Sequence, residues 1–109
     1  MTMRYWDWIR QEAALIHADG CTGVTNMYAD CCLQHDLEFY YGTSATEAYR
    51  VGWAKAMPIT FAQANDHFKR CHFRMGRLGH WNPIAWVRYA AVRMRKGRSA
   101  WDTHRRRAD

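Results

Sequence analysis

Residues 30–36 read Asp30-Cys31-Cys32-Leu33-Gln34-His35-Asp36, and Asp19-Gly20-Cys21-Thr22-Gly23 lies just upstream. A histidine can take and return a proton near neutrality, and a carboxylate beside it is a hard oxygen ligand for a divalent cation. The spacing predicts one helix that begins near Asn26, a favourable N-cap, and stops at Gly42, a favourable C′ residue. On that helix Cys31 and His35 share one face, and Cys32 and Asp36 another. Neighbouring side chains diverge by about 100°, so His35 and Asp36 look into different spaces. One can face a substrate groove while the other faces the glycine-bearing loop. That division suits a general base working beside a bound cation.

In these residues the chain resembles the phospholipase A2 superfamily. Its signature is a glycine-containing calcium loop with a cysteine, followed by a helix reading Cys-Cys-x-x-His-Asp. Here the loop is Gly20-Cys21-Thr22-Gly23 and the helical motif runs from Cys31 to Asp36. The likeness is specific from Asp19 to about Gly42, is strongest toward small bacterial members, and loosens afterwards. It implies that His35 activates a water for attack on a phospholipid ester. It implies further that Asp36, with the carbonyls of Gly20, Thr22 and Gly23, holds Ca2+. The implied disulfides are Cys21–Cys32, loop to helix, and Cys31–Cys71, helix to helix. The family also needs a carboxylate on the opposing helix to orient the histidine. Six residues before Cys71 stands Asn65, and the nearest carboxylate is Asp66, the residue expected to orient His35. Where relatives place a supporting Tyr, three residues after the Asp, this chain has Phe39.

The chain's 109 residues allow one domain with a modest core. Apolar residues at 49 % and aromatics at 15 % exclude a disordered chain. Charge is unevenly shared: residues 1–54 hold 3 basic and 7 acidic side chains, residues 55–109 hold 13 and 3. A basic half points to an anionic partner, with a phospholipid membrane surface first and nucleic acid weaker, since no base-reading motif is present. A solvated positive face explains the imbalance equally well, and a protein partner or homo-oligomer stays open. Four cysteines in a short chain favour disulfides and an oxidising or virion-exposed location. Three pairings are open, the vicinal one being disfavoured by ring geometry. No secretory signal and no membrane-length apolar run accompanies them. A mature fragment, export by another route, release by lysis as a viral product, or reduced thiols in a cytoplasm would each reconcile the two.

Residues 3–17 carry Trp6, Ile9, Ala13 and Ile16 at helical spacing, widened by Trp8 and Leu15. That stripe can pack on the core or touch lipid, where Trp is at home. Ser44 and Glu47 form a capping box opening a helix through about Met57, where Pro58 breaks it. A further helix runs from Ile59 to Met75, and Asn82-Pro83 opens a last one to Lys96, with Gly97 as its stop. In that helix Ile84, Val87, Ala91 and Met94 form the expected buried stripe. Trp86, Tyr89, Arg93 and Lys96 form an aromatic, cationic one.

The expected fold is therefore all-α and phospholipase A2-like: two antiparallel helices carrying the His-Asp motif and Cys71, flanked by N- and C-terminal helices. The domain spans residues 1–97, with a basic tail over 98–109. The expected activity is calcium-dependent phospholipid ester hydrolysis by His35 and Asp66, with Trp6, Trp8, Trp86 and Arg93 at the lipid interface. A weak or inactive scaffold presenting a basic face is the alternative. A zinc site from Cys21, Cys31, Cys32, His35, Cys71 and His72 is a rival chemistry, disfavoured because adjacent helical cysteines do not converge on one metal.

Overall fold

The computed structural model describes residues 3–18, 29–76 and 79–108. Among them are six α-helices: α1 Tyr5–Leu15, α2 Ala29–Tyr41, α3 Ala45–Val51, α4 Phe61–Met75, α5 Pro83–Val92 and α6 Arg95–Ala108. A 3-10 turn, Gly79–Trp81, precedes α5, and the described residues contain no β-strand, only one isolated bridge between Thr43 and Pro58. The all-α expectation holds at that level.

The starts of α3, α4 and α5 follow from local chemistry. Ser44 accepts from the Glu47 amide, Thr60 and Gln63 form a reciprocal capping box, and Asn82 accepts from Ile84 and Ala85 ahead of Pro83. Two boundaries differ from the sequence expectation. α3 ends at Val51, because Gly52 takes φ +90° and turns the chain out of the helix. The helix from Pro83 breaks at residues 93–94 and a separate α6 follows, so Gly97 is no stop. A Cβ at Gly97 would collide with the Val92 carbonyl; the glycine lets α6 start tight against the end of α5.

α2 and α4 form the centre. Cys31 is bonded to Cys71, His35 meets Phe68 and Asn65, and Phe39 clusters with Ala64. Ascending numbers on one helix meet descending numbers on the other, so the pair is antiparallel. The disulfide closes a separation of 40 residues, a constraint on the unfolded chain of about 4 kcal/mol in the loop-entropy picture. α1 packs Ile9 and Ala13 onto Leu37 and Ala45. Arg10 ties the same helices outside, reaching Asp30 at 2.7 Å and Asp7 at 3.1 Å.

α6 closes over the far end of α2. Trp101, only 6 % exposed, joins Phe39 and Ala64, and Arg105 donates to the carbonyls of Phe39 and Tyr40, both at 2.8 Å. Those are carbonyls of the last helical turn, which a cation satisfies well. The basic segment expected as a tail is thus helical over Arg95–Ala108 and held by these contacts. Gly42 makes this possible twice over: it takes φ +75°, and a Cβ there would run into the Arg105 guanidinium.

Gly42→Ala should therefore cost about 1–3 kcal/mol. Gly52→Ala, at a similar positive φ with open space around it, should cost about 1 kcal/mol from backbone strain alone. Equal losses for the two in urea unfolding would remove the Arg105 contact from this account.

Candidate functional site

His35 sits at the midpoint of α2, 8 % exposed, with its ring against Phe39 at 4.2 Å and Phe68 at 4.5 Å between centroids. Its Nε2 lies 2.9 Å from Asn65 Oδ1. An amide oxygen accepts, so Nε2 carries the hydrogen and Nδ1 keeps its lone pair. Burial is the main force on this ring and disfavours its charged form. The Asn65 bond partly offsets that, the nearby His72 adds to it, and the net result holds the pKa down to about 4. At neutral pH the ring is an uncharged, pre-oriented, weak base.

Asp66 does not reach it. Its carboxylate is 2.8 Å from Arg70 and 3.4 Å from Lys69, on the outer side of α4. The reason is helical phase. Asn65, Phe68 and His72, spaced by three and four, are the buried stripe facing α2, and Asp66 is one step round from it. Asn65 is fully buried, and among the described residues its Nδ2 has no hydrogen-bond partner. The support expected from a carboxylate comes here from an amide.

The carboxylate–imidazole pair of this interface is a different one. Glu38, 1 % exposed on α2, holds His67 Nδ1 at 3.0 Å and accepts from the Ala45 amide at 2.9 Å. The hydrogen bond to Glu38 raises the His67 pKa above the ordinary histidine value. His72, fully buried, shows a third arrangement: Nδ1 donates to the Phe68 carbonyl at 2.9 Å, and Nε2 accepts from Arg88 at 3.0 Å. Burial, more than the neighbouring guanidinium, lowers its pKa. The sequence reading gave no role to Glu38 or His67. A Glu at i+3 from His35, and a His two residues after Asn65 on the opposing helix, were the available signals.

Of the predicted cation ligands, Asp36 is half-buried on α2, while Gly20, Thr22 and Gly23 lie outside the described residues. One carboxylate with backbone carbonyls is an all-oxygen donor set, which suits a hard ion such as Ca2+. Among the described residues no three His, Cys, Asp or Glu side chains converge as a metal site. Cys31 and Cys71 are joined and Cys32 is also in a disulfide, so these three are not thiolate ligands for zinc. Cys21, the expected partner of Cys32, lies outside the described residues.

The interfacial candidates divide. Trp6 and Trp8 are half-buried: Trp6 packs on the cluster around the Cys31–Cys71 bond, and Trp8 stacks on Trp53 at 5.4 Å. Trp86 and Arg93 are exposed on α5, where Lys69 lies 4.6 Å from the Trp86 ring and Arg93 5.1 Å from that of Tyr89. The stripe expected to be buried there is inverted. Val87 and Met94 are 69 % and 65 % exposed, and the fully buried residue of α5 is Ala85. A cleft of about 160 Å³ between α1, α2 and α4 is lined by Tyr5, Trp6, Gln34 and Arg74 among others. It opens beside Cys71, and His35 is not one of its walls. Comparison with family models, curated sequences and solved structures finds no match to this chain.

The buried imidazoles fix a pH dependence. His35 and His72 have folded pKa values below the unfolded one, so the unfolded chain binds more protons across that window. Stability falls as pH drops from about 6.5 toward 4, by on the order of 3 kcal/mol for His35. His67 acts oppositely, its contribution present below pH 6.5 and lost as pH rises through its raised value. His35→Gln should flatten the acid limb in urea titrations between pH 4 and 7. An unchanged slope would mean that His35 titrates normally.

Proposed function

We propose that this chain is a phospholipase A2-type helical domain whose His35 is a water-activating base of reduced strength, acting on phospholipid esters at a membrane surface. The observation that carries the reading is the 2.9 Å contact between His35 Nε2 and Asn65 Oδ1 across a disulfide-linked helix pair. It leaves Nδ1 as the basic atom. In the proposed reaction, water attacks the ester carbonyl carbon as Nδ1 takes its proton. The tetrahedral intermediate then expels the lysophospholipid oxygen, which recovers that proton from the imidazolium. Ca2+, held by Asp36 and the loop carbonyls of Gly20, Thr22 and Gly23, would polarise the carbonyl when bound. Asn65 fixes the tautomer but has no charge with which to stabilise the imidazolium formed in the step. Asp66 is not part of this proposal.

A second reading is favoured by the packing of the same ring. Phe39 and Phe68 cover it, and its proton affinity is low. Both features suit a scaffold that keeps the motif without turnover and presents its basic face to an anionic partner.

Fatty-acid release from mixed phospholipid vesicles separates the two. Slow release by the wild type should drop by about 10²–10⁴ in His35→Gln, the range for a lost general base. Asn65→Asp, which restores a carboxylate at the ring, should raise the rate about tenfold or more. Release unaffected by either change sinks the hydrolase reading. The calcium component has its own readout. For a site of about 1 mM affinity, 10 mM Ca2+ should stabilise the fold by about 1.4 kcal/mol, and Asp36→Asn should abolish that gain. No shift in the melting temperature would remove the ion from the proposal.

A further inference from the structure

The candidate base is covered from one direction by an element that the proposed reaction does not use. Phe39 lies on the His35 ring at 4.2 Å, and Trp101 of α6 meets Phe39 edge-on at 5.2 Å. Arg105, one turn further along α6, has its guanidinium 4.6 Å from the Trp101 ring and donates to the carbonyls of Phe39 and Tyr40. The three groups form one stack on top of His35. Phe39 cannot swing aside while Trp101 stands against it, and Trp101 is clamped by Arg105.

Among the described side chains of α6, Trp101 is the buried apolar one. Arg98 lies 5.2 Å from the Phe61 ring and His104 5.5 Å from the Tyr40 ring, while Ser99, Ala100 and Thr103 are exposed and the Arg98 side chain is 60 % exposed beside Asp102. The helix carries six Lys and Arg residues against one acid over fourteen positions. An element held by few buried contacts is the kind that opens locally at small free-energy cost. A helix of this charge is drawn to an anionic bilayer. Lipid phosphates are stronger acceptors for a guanidinium than the neutral carbonyls of Phe39 and Tyr40 that Arg105 now uses.

We propose that α6 is a displaceable cover over His35, and that an anionic phospholipid surface displaces it by taking up its arginines, freeing Phe39 to move off the imidazole. The inference rests on the reading of His35 as the reacting base, but its test uses no turnover. His35 accessibility is measured with diethyl pyrocarbonate in EDTA. Carbethoxylation is followed by peptide mass spectrometry and expressed against His67, whose half-exposed ring serves as the internal reference.

For the wild type alone, His35 should react slowly. Phosphatidylglycerol vesicles should raise its relative rate about tenfold or more, and phosphatidylcholine vesicles should leave it unchanged. Arg105→Gln, which keeps the helix and loses the clamp, should raise the rate several-fold without lipid. Trp101→Ala should do the same, with circular dichroism checking that each variant is folded. The proposal is overturned if phosphatidylglycerol vesicles bind the protein and the His35 rate does not move. It is equally overturned if both variants react like wild type, or if duplex DNA opens the site as well as the bilayer does. Loss of hydrolysis with the accessibility change intact would reject the enzyme reading and leave the cover standing.

Discussion

The bond between His35 and Asn65 is the constraint around which the centre of this molecule is arranged. An imidazole removed from water needs a partner for its N–H, and an unmet donor of this kind costs about 1–3 kcal/mol. Asn65, itself completely buried, supplies the acceptor. The contact demands one register of α2 against α4, and the Cys31–Cys71 bond, one turn from His35 and nearly two from Asn65, holds it. A rotation of α4 by one residue would bring the Asp66 carboxylate inward and take water from it and from Lys69 and Arg70, its partners on the same helix. Removing charges from water costs several kcal/mol per ion, so the amide is the side chain that this dry interface accepts more cheaply.

Two histidines on the same helix interface are thereby pushed in opposite directions. His35 has apolar rings and an amide around it and stays neutral to about pH 4. His67 has Glu38 and is favoured in its charged form. Glu38 is nearly inaccessible, and holds together α2, the first residue of α3 and α4 through its two oxygens. The arrangement separates orientation from charge stabilisation. Asn65 can set the tautomer of His35, while the buried carboxylate of this interface, Glu38, is engaged by His67.

Much of the fold was legible because it is written in short-range chemistry. The capping residues Ser44 and Asn82, the stop at Gly42, and the alternation of three and four that buries Ile9 and Ala13 all act within one or two turns. The Cys31–Cys71 link implied by the family likeness is present. What was not legible depends on contacts between elements. Asp66 was preferred to Asn65 on chemical grounds, although the 65–68–72 stripe of α4 already placed Asn65 inward. Val87 and Met94 looked like core because they are apolar at helical spacing. Yet α5 turns Ala85 inward, and the chain breaks after Val92, before Met94 can join the same face. Residues 98–109 read as a basic tail because a single Trp among arginines gives almost no apolar period. Their order comes from Trp101 and Arg105 finding Phe39, Tyr40 and Gly42 some 60 residues earlier, a pairing no local pattern announces.

The covering of His35 bears on basicity as well as on access. Desolvation is the largest cause of its low proton affinity. Whatever withdraws Phe39 admits water to react and also strengthens the base that must activate it. Each unit of pKa recovered is worth about 1.4 kcal/mol of proton affinity, so the two effects compound. A closed ring with a pKa near 4 is poorly matched to general-base work at neutral pH, where the favoured value lies near the operating pH. Opening would weaken the desolvation that holds the value down while leaving the Asn65 bond in place. The same side chains that stabilise the resting fold, Phe39 above the ring and Trp101 above Phe39, are therefore the ones whose displacement would turn a structural histidine into a reactive one.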